Sequence, residues 1–198
     1  MTRIALAVTL GLLCAPSFAD MRITFIDAGQ ADAALIQVDQ PSGEPFTIIV
    51  DGGDHDNDLK DHLPALTTSD PTVELIILSH PHHDHQGALD WLVNDSGKAV
   101  EKVWWNGDTR TSGNFIPFRD ALIAKGILAI RPEEAFYHVL GVPNVSFRVF
   151  NNGGEFPGVL GHDFNNDSLV VQVIYEPATD VKVTALFTGD IEKDQGEM

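Results

Sequence analysis

The run Ser79-His80-Pro81-His82-His83-Asp84-His85-Gln86-Gly87 constrains this chain more than any other. Four histidines and an aspartate fall within six positions, directly after the apolar run Leu75-Ile76-Ile77-Leu78. That run has the length and bounds of a buried strand. Packing gives no reason for such a density of imidazoles at the end of a strand. Metal binding does: imidazole is the commonest protein metal ligand, and carboxylate-plus-imidazole sets suit zinc and neighbouring first-row metals. In extended backbone, residues i and i+2 point to the same side, so His80 and His82 reach one ion together. Asp84 and His85 lie past the bend and face a second ion close by. His83 points away from both.

The rest of the chain reads as a framework for this string. Strands are expected over 22–27, 33–38 and 46–50, forming an antiparallel meander with turns at Ala28-Gly29-Gln30 and Pro41-Ser42-Gly43-Glu44-Pro45. The third strand ends in Asp51-Gly52-Gly53, where two glycines permit a tight turn. Asp51 is suited to hydrogen-bond a ligand imidazole and fix its orientation. A short helix over 58–66 precedes a strand over 73–78. A helix over 87–93 turns Leu89, Leu92 and Val93 inward, and a strand over 102–105 follows. In that strand one of Trp104 and Trp105 faces the core and the other faces outward. An amphipathic helix over 117–125, stopped by Gly126, and a strand over 127–130 complete a βαβ-like step. Strands over 145–150, 168–175 and 181–187 end the pattern.

Composition decides compartment and ligand type. Arg3, the apolar stretch 4–15 and Ser17-Phe18-Ala19 follow the pattern of a secretory signal peptide, cleaved after Ala19. The expected organisation is therefore a signal peptide, 1–19, and one domain, 20–198, in a secreted or periplasmic protein with no membrane span in the mature chain. Cys14 is the only cysteine and leaves with the signal, so His, Asp and Asn must build any metal site. The net charge is −17 and no Lys/Arg cluster appears, a surface that repels nucleic-acid backbones unless metals intervene. No protein partner is evident.

The string HxHxDH resembles the signature of the metallo-β-lactamase superfamily. Phe25-Ile26-Asp27-Ala28-Gly29-Gln30-Ala31-Asp32-Ala33 is similar to the opening strand and turn of the extracytoplasmic domain of ComEC-type DNA-uptake proteins. Val50-Asp51-Gly52-Gly53 is similar to the superfamily's second-strand turn, Asn165-Asn166-Asp167-Ser168-Leu169-Val170 resembles the later strand entry of the ComEC-like branch, and Phe187-Thr188-Gly189-Asp190 resembles the superfamily's bridging-aspartate strand, in the same order. The resemblance implies an α/β (α+β) four-layer αβ/βα sandwich and a hydrolytic site for one or two ions, Zn2+ or else Mn2+ or another divalent metal. It implies His80, His82, Asp84 and His85 as ligands, Asp190 as a carboxylate bridging two metals, and Asp84 as the group that orients the attacking water and takes its proton. The substrate class it implies is a phosphodiester, nucleic acid included. Lactone, thioester or β-lactam hydrolysis and a non-catalytic metal-binding module are the alternatives.

The remaining ligand is open between His162, where most of the superfamily has a histidine, and Asn165, Asn166 or Asp167, which the ComEC-like branch favours. All eight histidines lie at or before His162. The resemblance implies a further strand, a covering helix and another histidine beyond Asp190, so the second half of the sandwich is expected to be incomplete. Asp190 also suits the N-cap of a helix. Asp54-His55-Asp56-Asn57-Asp58 lacks the glycine and the bidentate glutamate of an EF-hand and reads as a solvated acidic loop near the site.

Overall fold

A computed structural model describes residues 20–40, 43–66, 71–108, 115–138, 142, 144–153 and 165–192. The elements are β1 Met21–Phe25, β2 Ala33–Val38, β3 Phe46–Gly52, α1 Asp56–Lys60, α2 Leu63–Leu66, β4 Thr72–Val73, β5 Leu75–Leu78, α3 His83–Gln86, α4 Leu89–Asn94, β6 Ala99–Val100, β7 Lys102–Trp105, α5 Phe115–Lys125, β8 Leu128–Ile130, β9 Phe136–His138, β10 Val145–Asn152, β11 Leu169–Ala178 and β12 Val181–Phe187. A 3-10 turn, Asn165–Asp167, precedes β11.

Six strands form one sheet in the order β1-β2-β3-β5-β7-β8, and four form a second in the order β12-β11-β10-β9. The opening meander is antiparallel, as its short turns require; β3, β5, β7 and β8 then run parallel through helical crossovers. Period-two alternation divides the first sheet's side chains between two cores. Leu35, Ile49, Ile76, Leu78 and Val103 face α1, α2, α4 and α5, packing on Leu59, Leu63, Leu89, Leu92, Phe118 and Leu122. Ile36, Ile48, Val50, Ile77 and Trp104 face the second sheet, packing on Phe147, Val149, Val171 and Val173. Both faces are covered, so every residue of β2 and β5 is buried, and such strands read as unbroken apolar runs.

The protein is thus a mixed α/β sandwich of helices, sheet and sheet. Among the described residues no helix covers the outer face of the second sheet, where Phe136 and Phe150 stand exposed on either side of Arg148. β12 is an edge strand, and its Val181, Val183 and Leu186 are about half exposed.

Three expectations change. The strand over 73–78 is two strands, because Glu74 turns aside: its carboxylate accepts the Thr47 N–H at 2.7 Å, and its own N–H donates to the Thr47 carbonyl. Neither tryptophan of β7 faces water. Trp104 joins the core between the sheets, while Trp105 stacks on Phe115 of α5 at 5.1 Å. Asp190 and the residues following it, as far as Glu192, start no helix.

Candidate metal centre

The parallel strands β3, β5 and β7 end along one edge of the first sheet. The start of β11 and the ends of β10 and β12 reach the same edge from the second sheet. The Leu169 N–H donates to the Ser79 carbonyl at 2.8 Å and ties the two edges together. Carboxyl ends of parallel strands are where α/β proteins place ligand sites, since loops there are free to vary.

Asp51 enters this edge through a bulge. The register of β2 against β3 slips between Ala33 and Ala34, leaving Asp51 as the extra residue. Its φ is +54°, a left-handed conformation that Asp tolerates better than most residues. Bulges re-aim side chains beside functional sites, and this one turns the Asp51 carboxylate inward. One oxygen accepts the Ser79 N–H at 2.7 Å; the other lies 2.8 Å from the Ser79 hydroxyl and 2.9 Å from His85 Nδ1. Asp51 therefore makes the imidazole contact that its position in the sequence suggests.

His80, His85 and Asp190 bring one donor atom each to within 4.8 Å of one another. His80 and His85 are fully enclosed, with ring centroids 4.2 Å apart. His85 Nε2 lies 3.2 Å from an Asp190 oxygen. His80 Nδ1 faces the hydroxyls of Ser79 and Ser168 at 3.1 and 3.3 Å, whereas its Nε2 is buried without a hydrogen-bond partner. Buried polar atoms in native folds are almost always satisfied. A solitary imidazole nitrogen beside a second imidazole and a carboxylate is the donor arrangement a zinc-class ion fits.

The second sheet holds its side of the site through Ser168 and Gly189. The Ser168 hydroxyl accepts the Asp190 N–H at 3.2 Å. Gly189, at φ +52°, has no room for a side chain: a Cβ there would lie 2.7 Å from Ser79 Cβ and 2.8 Å from Ser168 Oγ.

His82 lies against His80, ring centroids 4.5 Å apart. Asp84 lies in the first turn of α3, half-buried; its carbonyl accepts the Asp32 N–H at 3.1 Å. A third close group, Asp32, Asp51 and His85, adjoins the first. His162 lies outside the described residues; of its rivals, Asp167 is buried, and its carbonyl accepts the side chain of the buried Asn106. His83 does turn away, but onto a partner: its Nδ1 meets an Asp54 oxygen, and His55 Nε2 lies 3.3 Å from the other. The 54–58 loop is therefore not merely solvated.

Charge is distributed unevenly over the two enclosed histidines. Burial pulls His80 down to about 3, helped by the neighbouring His85 and His82. Burial also acts to lower His85, but the Asp51 hydrogen bond, with the charges of Asp51, Asp190 and Asp84, outweighs it and holds His85 up at about 9. Burial raises Asp32, opposed by His85 and reinforced by Asp51, Asp190 and Asp84. His80 thus offers a free lone pair at neutral pH, while His85 gives up a proton when it ligates.

Sequence reasoning missed Ser79, Ser168 and Asn106, because a hydroxyl or an amide leaves no spacing signal. It also dismissed the Asp54-His55 pair, whose partner stands 28 residues beyond His55, in the histidine string itself.

No protein-family model and no curated protein matches the chain. Solved structures do. A B3 metallo-β-lactamase described as the first with an active-site glutamic acid is similar over 87% of this chain and 62% of its own, at 14% identity and a TM-score of 0.49. The Rm3 metallo-β-lactamase is similar over 91% and 66%, at 16% identity and a TM-score of 0.44. MEM-A1, a subclass B3 metallo-β-lactamase from a soil metagenome library, is similar over 78% and 56%, at 13% identity and a TM-score of 0.45. In each case the chain spans less than two thirds of the other protein, 56 to 66%.

Proposed function

We propose that the protein is a metal-dependent hydrolase whose centre is built on His80, His85 and Asp190, with His82 beside them. The observation that carries this reading is the buried, partnerless Nε2 of His80, a residue whose ring groups with a second imidazole and a carboxylate. A bound divalent ion would supply Lewis-acid polarisation and lower the pKa of a coordinated water. The chain's own residues do the remaining work. Asp51 and Ser79 fix the His85 ring, Ser168 fixes the Asp190 backbone, and Asp84, in the first turn of α3, receives the proton of the attacking water. His162 is the further candidate ligand. The resemblance of the 25–33 string to ComEC-type proteins favours a phosphodiester substrate, and the 1–19 pattern favours action outside the cytoplasm.

One observation favours a second substrate class. A cleft of about 160 Å3 adjoins the centre, lined by Phe25, Leu169, Leu186 and Phe187 together with Asp32 and Thr188, and none of its described lining residues is basic. Apolar walls with a few polar groups suit a neutral acyl compound better than a polyanion. The test is turnover by the zinc- or manganese-loaded chain of bis(p-nitrophenyl) phosphate, single-stranded DNA, a lactone, a thioester and a β-lactam, with EDTA controls. Chelator-sensitive turnover of the phosphodiesters alone supports the first class, and of the acyl compounds alone the second. Turnover of none, with metal bound, makes the protein a binding module and ends the hydrolase reading. N-terminal sequencing of the exported protein, beginning at Asp20, tests the compartment.

A further inference from the structure

We propose a second metal site, separate from the central one, in which Asp54, His55 and His83 bind a zinc-class divalent ion on the helical side of the histidine string. The three residues bring one donor atom each to within 4.8 Å of one another. The rings of His55 and His83 meet edge to face, centroids 5.9 Å apart, with the Asp54 carboxylate between their nitrogens. A tetrahedral zinc ion bonded at about 2.0–2.1 Å holds its ligand atoms about 3.3–3.5 Å apart, so small side-chain rotations seat all three. Two imidazoles and one carboxylate are a zinc-type donor set, unlike the all-oxygen sets of calcium or magnesium.

The backbone prearranges this cluster. The Asp58 carboxylate accepts the N–H groups of both Asp54 and His55, at 2.9 and 3.0 Å. The Gly87 N–H donates to the Gly53 carbonyl at 2.8 Å, and Gly87 lies so close to the Asp54 carbonyl that any side chain there would collide with it. The loop after β3 and the turn after the histidines are thus locked together, which lowers the ordering cost of binding. An open recess lined by Asp54, His55, Asp56, His83 and Asp90 gives solvent and metal access. A fourth position would be open to solvent through this recess. An ion here would clamp the 54–58 loop onto the turn that carries His82, Asp84 and His85.

The experiment is zinc titration of the full chain against a chromophoric chelator, repeated with His55→Ala, His83→Gln and, as control, His62→Ala in the exposed turn between α1 and α2. The His55 side chain is largely exposed and that of His83 nearly half exposed, so both variants should fold, and coincident circular-dichroism melts check this. The expected result is one equivalent fewer zinc bound at micromolar concentration by His55→Ala and by His83→Gln, with His62→Ala equal to the parent. Cobalt absorption should likewise lose one tetrahedral component in the two variants. A parent-like stoichiometry in either variant overturns the proposal. Failure of the hydrolase assays leaves this result untouched, because metal count and not turnover is read.

Discussion

His82 and His83 are neighbours in the chain and serve opposite sides of one turn. His82 lies with His80 in the enclosed centre between the sheets, where His80 and His85 have almost no exposure. His83 faces Asp54 and His55 on the helical side, where the His55 side chain is 73% exposed. Similar donor types thus occur in two environments. In the enclosed centre His80 and His85 each have a fixed neighbour, Ser79, Ser168 or Asp51, and their titration is pushed far from the ordinary range in opposite directions. In the open cluster the carboxylate itself is the neighbour, and water competes for every bond. A site that must activate a water needs the first kind of environment; one that only ties two segments together can use the second.

The comparison breaks hardest at His80. His80→Ala should abolish tight metal binding at the centre and, with it, hydrolysis, while the Asp54-His55-His83 cluster keeps its ion; equilibrium dialysis with zinc reads both. Loss of every ion would mean that the two clusters are not independent. Asp51→Asn should have the next largest effect. It removes the charge that orients His85, and losses of outer partners of this kind cost about 10–100-fold in metal affinity. The same variant should bring His85 down from about 9, followed by NMR of the imidazole in chelator-treated protein.

Much of this was legible in the sequence, for reasons that can be named. Leu75-Ile76-Ile77-Leu78 is a strand buried on both faces, and such strands show as unbroken apolar runs. The nearness of His80, His82 and His85 shows because side chains supplied by one turn are close in sequence. Asp51 shows because it sits at a strand end before two glycines. The Asp54-His55-His83 cluster does not show, because it joins two loops that only the parallel pairing of β3 with β5 brings together. The bulge that aims Asp51 is equally invisible, and so is the role of Trp105, which depends on α5 covering the first sheet.

Two smaller effects sharpen the account. In chelator-treated protein, stability should peak near pH 6.5. His85, raised in the fold, contributes fully below its unfolded pKa and loses that contribution as pH rises toward about 9, a loss on the order of 3 kcal/mol. His80, lowered in the fold, contributes fully above the unfolded value and loses its contribution as pH falls toward about 3. Urea midpoints across pH 4–9 check this, and His85→Gln should flatten the alkaline limb and, by removing one charge that lowers His80, soften the acid limb. Gly189→Ala should destabilise by about 1–3 kcal/mol through overpacking, because its methyl group meets Ser79 and Ser168. The thermal midpoint reads that change.

The central claim is that an ion sits on His80 Nε2. Anomalous diffraction at the zinc edge, from crystals of the zinc-loaded full chain, tests it directly. A strong peak is expected about 2.0–2.1 Å from His80 Nε2, within reach of His85 Nε2 and the Asp190 carboxylate. Full zinc loading with no peak beside His80 would contradict it.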